Sequence, residues 1–410
     1  MKFLFLLVTI ITCVNSNAQT LEGKWKGSLQ AGPQKLTLVM NIDQAGKSVT
    51  MDVVEQGASK LPMTVGWLSE DSINVSIPQL GLSYEGKLKD NTLDGTFRQQ
   101  TFATALSFTK GEATYNRPQE PKAPFPYETE EITFANEDLS ATLSGTLTYP
   151  TNYQKGKEVV VLMVTGSGAQ NRDEEMFHHK PFLVIADHLA RHGIASLRYD
   201  DRGTGKSTGN FKTVTTKDLA SDAQAGINWL RKSGKFAKVG LLGHSEGGLI
   251  GYMLGSKGKT DFVVSLAGPA CRIDTMMMLQ LNALARAQGS PKDIVNNVAE
   301  TRTLLMKSKT PWMKEFVNSD ATAFVKKTKC PVLALGGDKD LNVPVSINVP
   351  SLEANLPKNK HNTIKVYKGL SHMFQHTATG NPMEAANTEE TMAQEVLSDI
   401  SQWILDVTKH

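Results

Sequence analysis

The sequence has few cysteines, little net charge and no long apolar run beyond its amino terminus. Three cysteines in 410 residues are too few for a disulfide-stapled scaffold. Lysine and arginine outnumber aspartate and glutamate by only 44 to 41, and no basic block stands out, so nucleic acid is not an expected partner. The later apolar runs are too short for a membrane-spanning helix, which needs about 20 residues. With 40% hydrophobic and 21% charged residues, the chain is globular and long enough for two or three domains.

The amino terminus has the pattern of an export signal. Lys2 precedes the apolar run 3–11, and Ser16 and Ala18 supply the small residues that a cleavage before Gln19 requires. We therefore expect residues 1–18 to be a signal peptide and the mature protein to be periplasmic or secreted, without stable membrane insertion. A lipid anchor at Cys13 is the alternative, although threonine is a poor residue before a lipidated cysteine.

Export would permit a disulfide between the two cysteines of the mature chain, but the predicted strands argue against one. Cys271 follows the carboxyl end of the apolar run 262–265, whereas Cys330 precedes the amino end of the run 332–335. In a parallel sheet these ends lie at opposite edges, about 16 Å apart for a five-residue strand, and a disulfide bridges at most about 7 Å. We expect two free, mostly buried thiols.

Residues 19–112 read as an antiparallel β domain. The apolar and polar residues alternate in eight short runs, and turn residues at 43–46 and 89–91 indicate hairpins. The runs are Lys24 to Leu29, Lys35 to Ile42, Val49 to Val54, Met63 to Leu68, Ser72 to Ile77, Ser83 to Leu88, Thr92 to Phe97 and Ala103 to Phe108. This spacing predicts a small barrel or sandwich. A structural or docking role is expected, with ligand binding as the alternative.

A proline-rich segment separates this domain from the rest of the chain. Prolines at 118, 121, 124 and 126 predict a stiff linker over residues 113–127. From residue 128 to 410, strand-like and helix-like runs alternate, which is typical of an α/β domain with a largely parallel sheet. Residues 272–326 interrupt that alternation with helical runs alone, at 276–279, 294–306 and 312–316.

The motif G-H-S-E-G at residues 243–247 stands between an apolar strand and a helix. A sharp turn there would force Ser245 into strained backbone angles, and the flanking glycines remove side chains that would collide. Such a turn presents the serine hydroxyl at a helix amino terminus, where developing negative charge is favoured. Ser245 is therefore the predicted nucleophile.

An acid and an imidazole follow in the order Ser…Asp…His, each just beyond a predicted strand. Asp340 follows the strand 332–335, and His372 follows the strand 363–367. Parallel strands bring such residues to one edge of the sheet. Asp338 is the alternative acid; if it is not the acid, we expect its carboxylate to stabilise a turn. His376 is the alternative base.

Several stretches resemble those of the α/β-hydrolase superfamily. Residues 243–247, D-L-N-V-P at 340–344 and G-L-S-H at 369–372 look like its signatures. V-T-G-S-G-A-Q-N-R-D-E at 164–174 and R-Y-D-D-R-G-T-G-K-S at 198–207 resemble a bacterial carboxylesterase branch related to the serine aminopeptidase-like hydrolases. That branch usually reads G-S-G-P-Q-D-R-D, whereas this chain has Ala169 and Asn171. The resemblance covers about residues 128–410 and implies an α/β-hydrolase fold, with helices on both sheet faces and a helical cap at about 272–326.

The resemblance and the chemistry together assign roles. Ser245 would attack an acyl carbonyl, His372 would take and return its proton, and Asp340 would orient His372. The backbone N–H groups of Glu246 and Ser167 would form the oxyanion hole, with Gly166 and Gly168 letting the loop approach closely.

Two further patterns suggest other sites, but neither meets the requirements. G-T-G-K-S-T at 203–208 lacks the first glycine of a phosphate loop, since Asp200 stands at that position; we expect a turn in which Asp200 or Arg202 braces neighbouring loops. His188 and His192 lack the glutamate of a helical zinc motif, and we expect no metal and no cofactor. His178 and His179 are expected to be exposed loop residues, or alternatively to line the mouth of the pocket.

The sequence thus predicts an exported serine carboxylesterase that acts on short- to medium-chain esters of small molecules through an acyl-enzyme on Ser245. Residues Met276 to Leu279 would wall the acyl pocket or, alternatively, belong to the cap core. A serine peptidase or aminopeptidase, or an acyltransferase, with the same triad is the alternative. The oligomeric state stays open.

Overall fold

The computed structural model describes residues 20–31, 34–56, 58–112 and 115–409. The predicted signal peptide, its cleavage site and Cys13 lie outside these residues. The chain divides into two compact units, Met1–Thr114 and Tyr115–His410. None of the helices in the described part of the chain combines the length and the apolar character that crossing a bilayer requires.

The first unit is a closed antiparallel barrel. Its eight strands pair in chain order, and β1 also pairs with β8, which closes the barrel. The strands are β1 (Gly23–Ala31), β2 (Gln34–Asp43), β3 (Ser48–Val53), β4 (Ala58–Leu68), β5 (Ser72–Ile77), β6 (Leu82–Lys89), β7 (Thr92–Gln99) and β8 (Phe102–Lys110). The prediction of eight antiparallel strands is confirmed, and closure identifies a barrel rather than a sandwich.

Side chains fill the barrel interior. Trp25, Met40, Tyr84 and Phe108 are at most 1% exposed, and the rings of Tyr84 and Phe108 meet edge to face at 5.0 Å. The Tyr84 hydroxyl donates to the carbonyl oxygen of Leu93 at 2.9 Å, so its polar atom is satisfied inside the apolar core. A core packed in this way fits the structural role expected for this domain better than ligand binding.

The second unit is built on an eight-stranded sheet in the order β16-β15-β14-β13-β11-β12-β10-β9. Its strands are β9 (Thr129–Ala135), β10 (Thr142–Thr148), β11 (Val159–Val164), β12 (Ala195–Tyr199), β13 (Lys238–His244), β14 (Val263–Leu266), β15 (Val332–Gly337) and β16 (Thr363–Tyr367). β10 runs antiparallel to both of its neighbours, β9 and β12. The six strands β11 to β16 are mutually parallel. The carboxyl ends of β11 and β13 to β16 therefore share one edge of the sheet.

Helices cover both faces of this sheet. They are α1 (Pro181–Arg191), α2 (Thr216–Lys232), α3 (Glu246–Ser256), α4 (Ile273–Ala287), α5 (Val298–Leu305), α6 (Pro311–Val317), α7 (Thr322–Val325), α8 (Val345–Asn355) and α9 (Gln394–Thr408). In β11, Val160 and Leu162 belong to the core formed with α2 and α3, whereas Val161 and Met163 belong to the core formed with α1 and α9. Because both faces are buried, the strand is apolar throughout rather than alternating.

The helical insertion contains α4 to α7; the sequence predicts helices at α4, α5 and α6 but not at α7. The predicted helix from residue 294 is wrong at its start: α5 begins at Val298, because the Asn297 side chain accepts from the backbone N–H of Glu300 and caps the helix. Cys271 and Cys330 are both free, as expected, although each is only partly buried.

Part of the proline-rich segment binds to the second unit. The Arg117 guanidinium donates to the carbonyl oxygen of its neighbour Asn116 and to those of four residues distant in sequence, and the Gln119 side chain bonds to the backbone of two. The distant Arg117 acceptors are Phe177, His178, Ala386 and Thr388, and the Gln119 partners are Thr391 and Met392. These bonds place the segment from Tyr115 onward in the second unit rather than in a free linker.

Candidate active site

Ser245 occupies a strained turn between β13 and α3. Its backbone angles are φ 53° and ψ −120°, a conformation that residues other than glycine rarely adopt. The two glycines of the motif make the turn possible: a Cβ on Gly243 would lie 2.0 Å from the carbonyl oxygen of Gly247, and one on Gly247 would lie 2.1 Å from that of Val164. The chain stores this strain at a residue whose hydroxyl it presents at the amino terminus of α3.

The structure joins His372 to Asp340. The Nδ1 atom of His372 lies 2.8 Å from Oδ2 of Asp340, whose side chain is fully buried. The other carboxylate oxygen accepts the backbone N–H groups of Asn342 and Val343, each at 2.8 Å. Three donors therefore fix the carboxylate, and the carboxylate fixes the ring.

The alternative acid and base have other partners. Asp338 is exposed and accepts the backbone N–H of Gly369 at 2.6 Å, which is the turn-forming role considered for it. His376 bonds through Nδ1 to Glu390 at the surface. Neither takes part in the pair formed by His372 and Asp340.

Ser245 and His372 line one cavity of about 320 Å³. Its walls include Met276 and Met277 of α4, and α6 contributes three more side chains. Those three are Trp312, Met313 and Phe316. The expectation that Met278 and Leu279 also wall this cavity is wrong: they are partly exposed and absent from the lining, because successive helical residues turn by about 100°.

The loop after β11 lies against the nucleophile. A Cβ on Gly166 would sit 3.2 Å from that of Ser245, so glycine permits the close approach, and Gly168 adopts φ 102°. Ser167 is exposed and lines the same cavity. The N–H of Gly166 is already bound to Glu174 at 2.8 Å, which leaves Ser167 as the loop donor predicted for the oxyanion hole.

Three acidic side chains hold this loop and its neighbour. Asp201 accepts from the Thr165 hydroxyl at 3.0 Å and from the N–H of Gln170 at 2.9 Å. Asp200 binds the Arg172 guanidinium at 2.8 Å, and Asp222 on α2 binds Arg202 at 2.5 Å. The expectation that Asp200 or Arg202 braces neighbouring loops is confirmed for Asp200, whereas Arg202 ties its own loop to α2.

Comparison with known proteins agrees with this architecture. Residues 177–315 match the family model Hydrolase_4, described as Serine aminopeptidase, S33. Esterase EstD from Thermotoga maritima is 26% identical over 288 residues, covering 66% of this chain and 68% of that protein.

Solved structures of similar proteins include two esterases. The Pyrococcus furiosus esterase Pf2001 is 17% identical, with a TM-score of 0.47, over 72% of this chain and 99% of that one. Est1E from Butyrivibrio proteoclasticus, with ferulic acid bound, is 18% identical, with a TM-score of 0.49, over 68% of this chain and 100% of that one.

The sheet order, the strained serine turn and the partial family match agree on the fold. The chain has the α/β-hydrolase fold. The fold class implied by the sequence resemblance is thereby confirmed, with the antiparallel barrel as its first domain. The matched region contains Ser245 and most of the cap but neither Asp340 nor His372. The geometry alone places His372 in the cavity lining and bonds the buried Asp340 to it.

The chain also carries a buried carboxylate directly after the serine. The Glu246 side chain is fully buried and accepts from the Thr216 hydroxyl at 2.6 Å and from the Trp312 indole N–H at 2.9 Å. Burial raises the pKa of Glu246, and these hydrogen bonds oppose the rise. The Trp312 contact joins the cap to the turn that holds Ser245. No local pattern in the sequence predicts these contacts, because the partners are 30 and 66 residues away.

Sequence reasoning missed a second buried group, His244 with Glu174. Both side chains are at most 5% exposed, and Nδ1 of His244 lies 2.9 Å from Oε1 of Glu174. The adjacency of His244 to the nucleophile was the available signal. The expectation that His179 is an exposed loop residue is wrong. His179 is fully buried, and its Nε2 is bonded to the carbonyl oxygen of Ala385.

Proposed function

We propose that this protein is an exported serine carboxylesterase that hydrolyses short- to medium-chain acyl esters through an acyl-enzyme on Ser245. The observation that carries the proposal is the character of the cavity shared by Ser245 and His372. Methionine and aromatic side chains form its far wall, and its lining in the described part of the chain includes no carboxylate. Such a wall suits an uncharged acyl chain, and methionine adapts to chains of different shape.

The geometry supports a two-step acyl transfer. The Ser245 hydroxyl attacks the ester carbonyl carbon while Nε2 of His372 takes its proton, and Asp340 stabilises the resulting imidazolium through Nδ1. The backbone N–H groups of Ser167 and Glu246 donate hydrogen bonds to the tetrahedral oxyanion and stabilise its negative charge. His372 then returns the proton to the departing alcohol, and a water molecule activated by the same imidazole releases the acid.

An aminopeptidase with the same triad would need a negative group to bind the ammonium of its substrate. The cavity lining offers amide side chains from Gln170, Gln280 and Asn342 but no carboxylate in the described residues. Glu246 lies nearby, but its side chain is fully buried, bonded to Thr216 and Trp312, and outside the cavity lining. The ester is therefore the preferred substrate class, and the peptidase becomes an outcome of the test.

The test is a comparison of kcat/KM over two substrate series. The kcat/KM should rise from p-nitrophenyl acetate through propionate to butyrate. The rise should be up to about fourfold per methylene, since burying one methylene contributes about 0.8 kcal/mol. Aminoacyl-anilides should be poor substrates, and Ser245→Ala should be inactive on both series. Faster cleavage of the anilides than of any ester would replace the esterase by the peptidase.

The exported state needs its own experiment, because the signal segment lies outside the described residues. Expression in a bacterial host followed by fractionation should recover the protein outside the cytoplasm, with Gln19 as its first residue by amino-terminal sequencing. Retention of residues 1–18 on a cytoplasmic product would refute export. A lipid-modified Cys13 would show instead that the exported protein is anchored to a membrane.

A further inference from the structure

His244 connects three parts of the catalytic apparatus. Its ring lies at the end of β13, next to Ser245, and is 4% exposed. Nδ1 faces Oε1 of Glu174 at 2.9 Å, and Nε2 faces the backbone carbonyl oxygen of His372 at 3.0 Å. The same Glu174 oxygen accepts the N–H of Gly166 at 2.8 Å. One continuous path therefore runs from the loop after β11 to the main chain of the predicted base.

The partners of His244 determine its protons. A backbone carbonyl oxygen can only accept, so Nε2 of His244 must carry a hydrogen. If Nδ1 were bare, its lone pair would face an ionised carboxylate oxygen in a buried site, which is repulsive. The contact at 2.9 Å therefore holds a second proton. An imidazolium paired with an ionised Glu174 satisfies every atom in this path, including the N–H of Gly166.

We propose that His244 is a positioning residue, held as an imidazolium by Glu174, that fixes the main chain of His372 relative to Ser245 and the oxyanion loop. His244 lines the same cavity as Ser245, and in this role it acts through the main chain of His372. The inference deepens the proposed esterase function and rests on it for its activity measurements.

The surrounding groups support this protonation state. Burial opposes a positive His244, whereas the charge and hydrogen bond of Glu174, the backbone carbonyl of His372 and the charge of Asp340 favour it. Asp201 lies near Glu174, and burial raises its pKa to about 8. Against the cost of burial, the interactions with Glu174 raise the pKa of His244 above its ordinary value.

The pair makes activity depend on pH in a specific direction. Because the pKa of His244 is raised in the folded protein, the imidazolium persists above the ordinary histidine pKa of about 6.5 and is lost at still higher pH. The carboxylate of Glu174 retains the proton on Nδ1, so the proton that leaves is the one on Nε2; its loss leaves a lone pair facing the carbonyl oxygen of His372 and releases that main chain. Activity should therefore fall on the alkaline side as His244 deprotonates.

Glu174→Gln tests the charge while keeping the shape. The amide oxygen can still accept the N–H of Gly166, but it no longer stabilises a cation at His244. The alkaline limb of kcat/KM for p-nitrophenyl butyrate should move about one to three pH units lower, so that the ratio of wild type to variant grows with pH. Glu390→Gln is the matched control, since Glu390 pairs with the exposed His376, and its profile should follow the wild type.

A ratio of wild type to Glu174→Gln that stays constant over pH, at one or any other value, would overturn the proposal, because a merely structural glutamate has no reason to move the limb. A direct measurement needs no variant and no substrate: ¹⁵N spectra of the nine histidine rings in the wild-type protein. One ring should keep protons on both nitrogens at pH 7.5, and that signal should vanish in His244→Gln. If all rings are neutral, the proposal fails even when the esterase is active; if no ester is cleaved, the proposed function fails and the spectra still decide the charge of His244.

Discussion

Replacing Asp340 by asparagine should disable the enzyme while leaving its fold intact. In the structure one carboxylate oxygen accepts two backbone N–H groups and the other accepts Nδ1–H of His372 at 2.8 Å. The asparagine oxygen will keep the two backbone donors, which places the NH₂ group opposite Nδ1. Nδ1 must then accept, the ring proton moves to Nε2, and His372 can no longer take the proton of Ser245.

The size of the loss follows from this tautomer exchange. The Asp340 side chain has no exposed surface, so water cannot substitute for the missing acceptor. Locking a triad histidine in the wrong tautomer costs about 10⁴ in kcat in a serine protease, or about 5 kcal/mol of barrier. Steady-state kinetics with p-nitrophenyl butyrate should show this loss mainly in kcat, with an unchanged melting temperature as the check on folding.

Asp338→Asn provides the matched control two residues away. Asp338 is exposed, and asparagine can still accept the N–H of Gly369, so kcat should change by no more than about twofold. The reverse pattern, with a crippled Asp338→Asn and an active Asp340→Asn, would refute the assignment of the acid.

Three further predictions concern the cavity, the loop and the domain boundary. Met277→Ala should reduce the preference for butyrate over acetate about fivefold, as about 1 kcal/mol of apolar contact is lost, whereas Met278→Ala, outside the lining, should not; equal effects would disprove the pocket wall. Burial raises the pKa of Asp201 to about 8 while the unfolded value is near 3.9, so this group stabilises the fold fully below pH 4 and progressively less up to pH 8. Thermal melts of Asp201→Asn should show a flatter decline over that range, and an unchanged decline would contradict the assignment. A protein of residues 115–410 should fold and cleave p-nitrophenyl acetate, and one of 120–410 should melt at a lower temperature, since it lacks two anchoring side chains; equal melting temperatures would show that the anchors contribute little.

Much of the fold could be predicted because its signals are local. Alternation marks each barrel strand, and the run of apolar residues in β11 marks a strand buried on both faces. Closure of the barrel depends on the pairing of β1 with β8, more than 70 residues apart in sequence, which no local pattern contains. The binding of Arg117 to carbonyl oxygens of Phe177 and Ala386 could not be predicted for the same reason, and the prolines predicted only a stiff linker.

The triad residues could be proposed because each follows a strand and stands in a short motif. The supporting network could not, since Glu174 and His244 meet across 70 residues and Glu246 meets Trp312 across 66. The helical period alone would have excluded Met278 and Leu279 from the cavity wall. Met276, Met277 and Gln280 share one helical face and line the cavity, whereas Met278 and Leu279 turn away from it, as the helical period requires.

The central claim is that Ser245 forms the acyl-enzyme, and covalent labelling tests it most directly. The wild-type protein should react with one equivalent of a fluorophosphonate probe, lose all esterase activity, and carry the label on the peptide that contains Ser245. The probe should not label Ser245→Ala, whose kcat should be lower by about 10³-fold or more. Labelling of a different residue, or turnover near the wild-type rate in Ser245→Ala, would contradict the account.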